Sequence, residues 1–251
     1  MPSKSVTMNG LSHQIMGLSE EDPYFASVND RFEHEFEDFC QRYLKPDDIC
    51  WDIGANIGVT ALIMAGICRR GQVTAVEANK PVFDLLQQNM NINGVTQVTP
   101  MNFAIGDRNG RAFFNENSAF GHLSSEGASV TMITPETLLA KTSGTLPNFI
   151  KIDCEGYEPF ILKSAADLIW RSNALVHFEF NSWCLLHHSR SHPLFFLEWI
   201  VETFPETLIV REGGILERFV KNDLSKILHE NIMKYGCVND IVVSFDSSRL
   251  V

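Results

Sequence analysis

WDIGANIG, residues 51–58, decides how the rest of this chain is read. It ends the short apolar run ICWDI (49–53) and opens the helical stretch VTALIMAGICRR (59–70). Gly54 permits a tight turn and Gly58 a close helix contact, because neither carries a Cβ. Asn56 is the non-glycine type most tolerant of left-handed backbone geometry. Free N–H groups at the start of the following helix suit an anionic ligand group. Strand, glycine turn and helix in that order form the first unit of a parallel α/β sheet.

The spacing narrows the ligand. A dinucleotide fingerprint needs G-x-G-x-x-G. Gly54 and Asn56 take the first two places, but Gly58 arrives one residue early. A nicotinamide-dependent oxidoreductase is therefore the disfavoured alternative. Glu77 ends the next strand, QVTAVE (72–77). A carboxylate at that position can accept hydrogen bonds from both ribose hydroxyls. The order of turn and acid favours that role over a solvated strand-end charge.

Moving outward, the alternation repeats. PVFDLLQQNMNI (81–92) reads as a helix closed at Asn93-Gly94, and QVTPMNF (97–103) as a third strand that Pro100 places at an edge. NFIKID (148–153), YEPFILKSAADLIW (157–170) and LVHFEFN (175–181) continue as strand, helix, strand. SHPLFFLEWIVETF (191–204) reads as a buried helix, and TLIVR (207–211) and NDIVVSF (239–245) as late strands. Residues 104–146 interrupt the rhythm, with short strands RAFFN and ASVTMI around a Ser/Gly-rich loop (117–127) and a helix capped by Thr134. A connection this long in a compact domain is often functional. Before the turn, Phe32, Phe36, Phe39, Cys40 and Tyr43 recur at helical spacing, predicting a helix from Asn29 to Leu44. Residues 1–28 are polar with little periodicity and read as a loosely packed N-terminal segment before a single domain, 29–251.

Bulk properties bound the function. The 251 residues carry 31 acidic and 20 basic side chains, a formal net charge of -11. Such a surface repels phosphate backbones and anionic lipid, so no nucleic-acid partner is expected. Six cysteines without a CxxC pair read as reduced thiols of a cytosolic protein. No signal peptide or membrane-spanning run is evident, so the expected location is cytoplasmic. The oligomeric state is left open.

FIKIDCEGYEPF (149–160) places Lys151, Asp153, Glu155 and Glu158 at the end of an apolar run. Unpaired burial of such groups is costly. A strand end facing a crevice accommodates them, because Lys151, Asp153 and Glu155 alternate onto one face. His177, Glu179 and Asn181 alternate likewise on the next strand. The expected result is a cluster of Asp153 and Glu155 near Glu179, with Lys151 and His177 deeper. Lys151 is the internal counter-charge, and Glu158 complements its helix dipole.

WDIGANIG, VEANKPVFDLLQQNMNING (76–94) and FIKIDCEGYEPFIL (149–162) together resemble the FkbM-type methyltransferases over roughly residues 30–180. These are S-adenosylmethionine-dependent enzymes of the Rossmann-like class I methyltransferase fold. The resemblance implies an α/β architecture: a seven-stranded, mostly parallel sheet with helices on both faces and its last strand antiparallel. TLIVR and NDIVVSF would be its closing hairpin-like pair. It implies that Asp52, Gly54, Ala55, Asn56 and Gly58 hold the methionine part of the cofactor. Glu77, with Asn79 nearby, takes the ribose. Asn102, Phe103 and Ala104 border the adenine, and Asp153 closes the cofactor-binding set. Ala78 replaces the proline of the family's E-P-N stretch. The acceptor implied is a small hydroxylated molecule, a sugar, glycoconjugate or polyketide-like natural product. A protein that binds S-adenosylmethionine without turnover is a second alternative.

Methyl transfer to a hydroxyl needs alignment and removal of the hydroxyl proton. Asp153 is the first candidate base or orienting group, with Glu155, Glu179 and the loop residue His122 as alternatives. A divalent cation on the clustered carboxylates is the less favoured arrangement. His188 and His192 have zinc-helix spacing without an intervening glutamate, so no metal is assigned to them and the segment is placed beside the substrate mouth. Tyr24, Phe120 and Trp183 are expected near the crevice or in loops.

Overall fold

The computed structural model describes residues 1–115 and 121–250; Phe120 lies outside the described residues. Strands β1 (Ser3–Met8) and β2 (Leu11–Met16) pair antiparallel through a turn at Asn9 and Gly10. Residues 1–28 are thus not loose. Val6, Met8, Ile15, Phe25 and Val28 are buried in the main core. A hairpin with one buried face hides only every second residue, so its low apolar content concealed the packing. Asn9 Nδ2 donates to the Ile63 carbonyl at 2.8 Å. Asn89 and Asn93 pair their side-chain amides with the β2 backbone at Met16 and Gln14.

Helix α1 (Pro23–Ser27) follows, capped by the Asp22 carboxylate. Helix α2 (His34–Tyr43) starts later than its apolar spacing predicts. Residues 29–33 form turns, and Glu33 adopts the left-handed conformation with φ 59°.

The central run is β3 (Ile49–Ile53), α3 (Val59–Ile67), β4 (Gln72–Val76), α4 (Lys80–Ile92) and β5 (Val98–Met101). A four-stranded sheet interrupts it, ordered β6-β9-β7-β8 and built from β6 (Ala104–Ile105), β7 (Gly110–Asn115), β8 (His122–Ser124) and β9 (Ala128–Ile133). Next come α5 (Pro135–Lys141), β10 (Phe149–Ile152), α6 (Glu158–Ser172) and β11 (Leu175–Asn181). The chain ends with α7 (Ser182–His187), α8 (Pro193–Thr203), β12 (Glu206–Arg211), β13 (Ile215–Arg218), α9 (Leu224–Met233) and β14 (Val238–Ser244).

The main sheet has the order β13-β12-β14-β11-β10-β3-β4-β5. The pairs from β11 to β5 are parallel, and β14 lies antiparallel between β11 and β12. Among the described residues this sheet has eight strands where seven were expected. The addition is β13, an edge strand on β12 whose sequence ILER has no apolar run to announce it. β12 and β14 pair directly but are not a hairpin, because β13 and α9 intervene. β5, with Pro100, forms the opposite edge.

Alternation divides the core between the two faces. Cys50, Phe149, Leu175 and Val242 join the hairpin, α2, α3 and α4 on one face. Trp51, Ile150, Val176 and Val243 join α5, α6, α8 and α9 on the other. Among the described residues no helix is long and apolar enough to cross a membrane.

Candidate active site

The chain leaves β3 toward β4 on one side of the sheet and leaves β10 toward β11 on the other. A crevice opens above the carboxyl ends of these strands, as expected at a topological switch point. It holds about 1070 Å³ of empty space continuous with solvent. Ile105, Phe114 and Leu123 of the small sheet wall it, with Tyr24, Phe32 and Glu33 from before the central run.

One wall is the β3 turn and the end of β4. Gly54 and Ala55 donate their N–H groups to the Val76 carbonyl at 2.9 and 3.0 Å, which holds the turn against β4. Gly54 has φ +84°, and a Cβ there would lie 1.8 Å from the Asp153 carbonyl oxygen. Gly58 has φ +97°, and its Cβ would meet Leu86 and Met90 of α4. Asn56 is left-handed, with φ 50°. Glu77 accepts the Asn56 N–H at 3.0 Å on one oxygen and the Asn79 N–H at 2.7 Å on the other. Burial still pushes its carboxyl up to about 7, against the pull of those N–H groups. The Ala78 N–H also supports this carboxylate. Asp52 is fully buried at the base of this wall. One of its oxygens accepts the Thr60 hydroxyl at 2.7 Å, and the other has no partner. Burial raises its pKa, partly offset by Lys151 and Thr60.

The remaining residues of the set divide. Gly54, Asn56, Glu77, Phe103 and Ala104 line the crevice. Asn102 does not: its amide donates to the Glu77 and Ala78 carbonyls at 2.8 and 3.0 Å, bracing the loop from behind. Asn79 is buried at the start of α4, and its side-chain oxygen has no partner.

The other wall is built by register. Lys151 on β10 stands beside Asp52 on β3 and His177 on β11. Its side chain is only 6% exposed, and its ammonium lies 3.0 Å from an Asp153 oxygen. Burial alone would lower its pKa; Asp153, Asp52 and Glu33 outweigh that and hold it well above the usual lysine range. His177 is buried between Phe36 and Phe39, and neither ring nitrogen has a hydrogen-bond partner. Burial, helped by Lys151, lowers it to about 3, so the ring is neutral. Asp153, Glu155 and Glu179 all line the crevice. Burial, with Asp153 nearby, pushes Glu155 up to about 7 and Glu179 well above the carboxylate range. Glu158 lies under them, accepting the Cys154 N–H at 2.7 Å, and burial raises it to about 8. One oxygen each of Glu158 and Glu179 is buried without a partner. Oxygens of Asp153, Glu158 and Glu179 lie within 4.8 Å of one another.

His122 is placed elsewhere. Its neighbours Gly121 and Leu123 line the crevice, but its own ring stacks on His188 at 3.7 Å. Alternation along β8 turns it outward. His188 holds the Glu155 carbonyl at 2.8 Å, and His192 packs on Phe195 at 4.5 Å. Trp183 is half exposed on α7 and does not line the crevice, whereas Tyr24 does. The sequence reading missed Phe32 and Glu33. Phe32 matched a core stripe, and Glu33 reaches the crevice through a left-handed turn that no spacing announces. Thr60 had one available signal, a hydroxyl in the first turn after the glycine loop.

These residues fit the cofactor the motifs imply. Gly54, Asn56, Glu77, Phe103 and Ala104 of the implied set line the crevice, whereas Asp52 and Asn79, each with one partnerless oxygen, are buried and do not. Comparison with known proteins bears on the family and the fold. This chain is 28% identical over 135 residues to the hexuronic acid methyltransferase AglP of Haloferax volcanii, a match covering 52% of this chain and 55% of AglP. The chain thus spans about half the length of that curated relative. A methyltransferase FkbM structure from Methylobacillus flagellatus superposes with a TM-score of 0.51 at 17% identity, covering 80% of this chain and 44% of the other. The 16S rRNA N2 G1207 methyltransferase RsmC of T. thermophilus, in complex with AdoMet and guanosine, superposes with a TM-score of 0.54 at 13% identity, covering 98% and 50%. At such identities these structures speak to the fold, which is that of the class I methyltransferases. The family described as the methyltransferase FkbM domain matches residues 52–202, from the buried Asp52 through both walls of the crevice, and the chain belongs to that family.

Proposed function

We infer that this chain is an S-adenosylmethionine-dependent O-methyltransferase acting on a hydroxyl of a small sugar-type acceptor. The observation that carries this reading is the Asp153 carboxylate. Its side chain is 36% exposed in the crevice, one oxygen is held by the Lys151 ammonium, and it stands next to the turn that begins at Gly54. Asp52, Gly54 to Gly58, Glu77, Phe103 and Ala104 would hold the cofactor. Bound there, S-adenosylmethionine supplies a methyl group on a sulfonium.

The chain's own residues do the rest. Asp153 takes the acceptor hydroxyl proton, and Lys151 fixes its orientation. Burial and the neighbouring carboxylates favour the protonated form of Glu179, which suits it to donate a hydrogen bond to the acceptor rather than to act as base. Glu155 titrates near 7 at the rim and completes the polar lining. A divalent cation is outside this reading, because Lys151 supplies the counter-charge to Asp153 and burial raises Glu158 to about 8. Activity is expected to survive EDTA.

An uncharged polyol suits the crevice, because the lining cation Lys151 is already paired with Asp153. Glu33, Glu77, Asp153, Glu155 and Glu179 face it, and Lys151 is the single cation among its described lining residues. A uronate would add another carboxylate to that set. The test is thermal unfolding with S-adenosylhomocysteine and with NAD, followed by turnover on neutral sugars and their uronates. A raised midpoint with S-adenosylhomocysteine alone supports the cofactor reading. A rise with NAD instead would overturn it, and faster turnover on uronates would overturn the acceptor reading.

A further inference from the structure

We propose that the rim of the crevice carries a zinc site made by Glu155, Cys184 and His188. The donor atoms of these three residues lie within 4.8 Å of one another. They come from two segments, the turn after β10 and helix α7 with its C-cap residue His188. The site shares Glu155 with the crevice lining, but zinc binding is measured without turnover, so the proposal stands or falls apart from the methyl-transfer reading.

Each donor is held in place by the backbone around it. Glu155 has φ 51°, a left-handed conformation that is strained for a glutamate. Gly156 follows at φ +99°, and a Cβ there would lie 2.6 Å from the Cys184 carbonyl oxygen. The turn is therefore pressed directly onto α7. On that helix, the Cys184 N–H is capped by the Asn181 side chain at 3.1 Å. The Cys184 sulfur lies 3.3 Å from the Glu155 carboxylate, close to the separation of two ligands on one tetrahedral ion.

The third donor has a fixed tautomer. His188 Nδ1 lies 2.8 Å from the Glu155 carbonyl oxygen, an acceptor only, so Nδ1 carries the proton. Nε2 is left with its lone pair, and a ring nitrogen of His188 lies within 4.8 Å of the other two donors. A ligand histidine whose other N–H is tied to a backbone carbonyl is the usual outer-shell arrangement at a metal. The His122 ring lies parallel to His188 at 3.7 Å, with 3° between planes, and covers the site from the small sheet.

The donor chemistry selects the ion. Thiolate, imidazole and carboxylate together suit zinc, whereas magnesium and calcium take oxygen ligands. Three protein ligands leave a fourth position open to solvent. As the zinc–sulfur bond forms, the Cys184 thiol proton passes to solvent, and the S–H···Glu155 hydrogen bond is replaced by shared coordination. The ion would tie the turn after β10 to α7.

The experiment is calorimetric titration of the full chain with zinc and with magnesium, beside cobalt(II) absorption spectra. One zinc ion per chain and no magnesium are expected, with a sulfur-to-cobalt charge-transfer band. Cys184→Ser should remove that band, and Cys184→Ser and His188→Gln should each weaken zinc binding by more than the roughly 10- to 100-fold that loss of an outer-shell partner costs. Cys237→Ser and His187→Gln serve as controls and should change nothing. If Cys184→Ser fails to fold, His188→Gln, on a half-buried ring, carries the same expectation. Absence of zinc binding, binding unchanged in His188→Gln, or loss of binding in a control would overturn the proposal.

Discussion

The two walls of the crevice are made in different ways. The wall of β3 and β4 is a backbone construction: Gly54, Ala55, Asn56 and Asn79 direct main-chain N–H groups at Val76 and at the Glu77 carboxylate. Its parts lie within about thirty residues of one another. The wall of β10 and β11 is a side-chain construction. It gathers Glu33, Lys151, Asp153, Glu155 and Glu179 from across the chain around one ammonium. A backbone wall depends on local conformation, because the geometry of its donors is set by φ and ψ. A side-chain wall depends on strand register and on burial, because its charges are held by neighbours from other elements. The first wall should therefore fail through sterics, and the second through electrostatics.

The largest effect is expected at the second wall. Asp153→Asn keeps the shape but cannot take a proton, so turnover should fall about 10²- to 10⁴-fold. The thermal shift with S-adenosylhomocysteine should persist. Wild-type turnover in this variant would remove Asp153 as the base, and loss of the shift would move it to the cofactor wall. Lys151→Met tests the electrostatic part. It leaves Asp52, Asp153 and Glu33 without their shared cation and should cost about 3 kcal/mol in urea denaturation. A neutral result would mean that protons alone balance the cluster.

Gly54→Ala tests the sterics of the first wall. Its Cβ would lie 1.8 Å from a backbone oxygen at a positive φ, so the turn must shift. A loss of about 2 kcal/mol, with the S-adenosylhomocysteine shift abolished, is expected. Retained binding would show that the turn tolerates displacement.

The smallest effect is the pH dependence. The folded-state pKa of Glu158 is raised from 4.5 to about 8. Its stabilising contribution is therefore complete below 4.5 and is lost as pH rises through 8. Glu77 and Glu155, each raised to about 7, act in the same direction. The unfolding free energy of the ligand-free chain should fall between those limits, by about 1 kcal/mol per pH unit for each such group. Glu158→Gln should flatten the slope measured by denaturation at pH 5 to 8. An unchanged slope would assign it to the other carboxyls.

The sequence by itself determined the order of strands and helices in the central run, the glycine turn, the acidic end of β4 and the family. These rest on patterns whose period or spacing is local: an apolar run of strand length, a helix with its apolar stripe, a positive φ that favours glycine or asparagine. The alternation of FIKID and LVHFEFN was enough to expect Asp153, Glu155 and Glu179 in one cluster. Only the tertiary structure decided the rest. It packed the hairpin of residues 3–16 into the core, added β13, turned His122 onto His188, drew Asn102 behind the loop and carried Glu33 to the crevice. The physical reason is common to all of these. A hairpin with one buried face, a short polar edge strand and a lone polar side chain have no periodic signal of their own. Their positions are set by partners far away in the chain, through hydrogen bonds and burial that exist only once the sheet has formed.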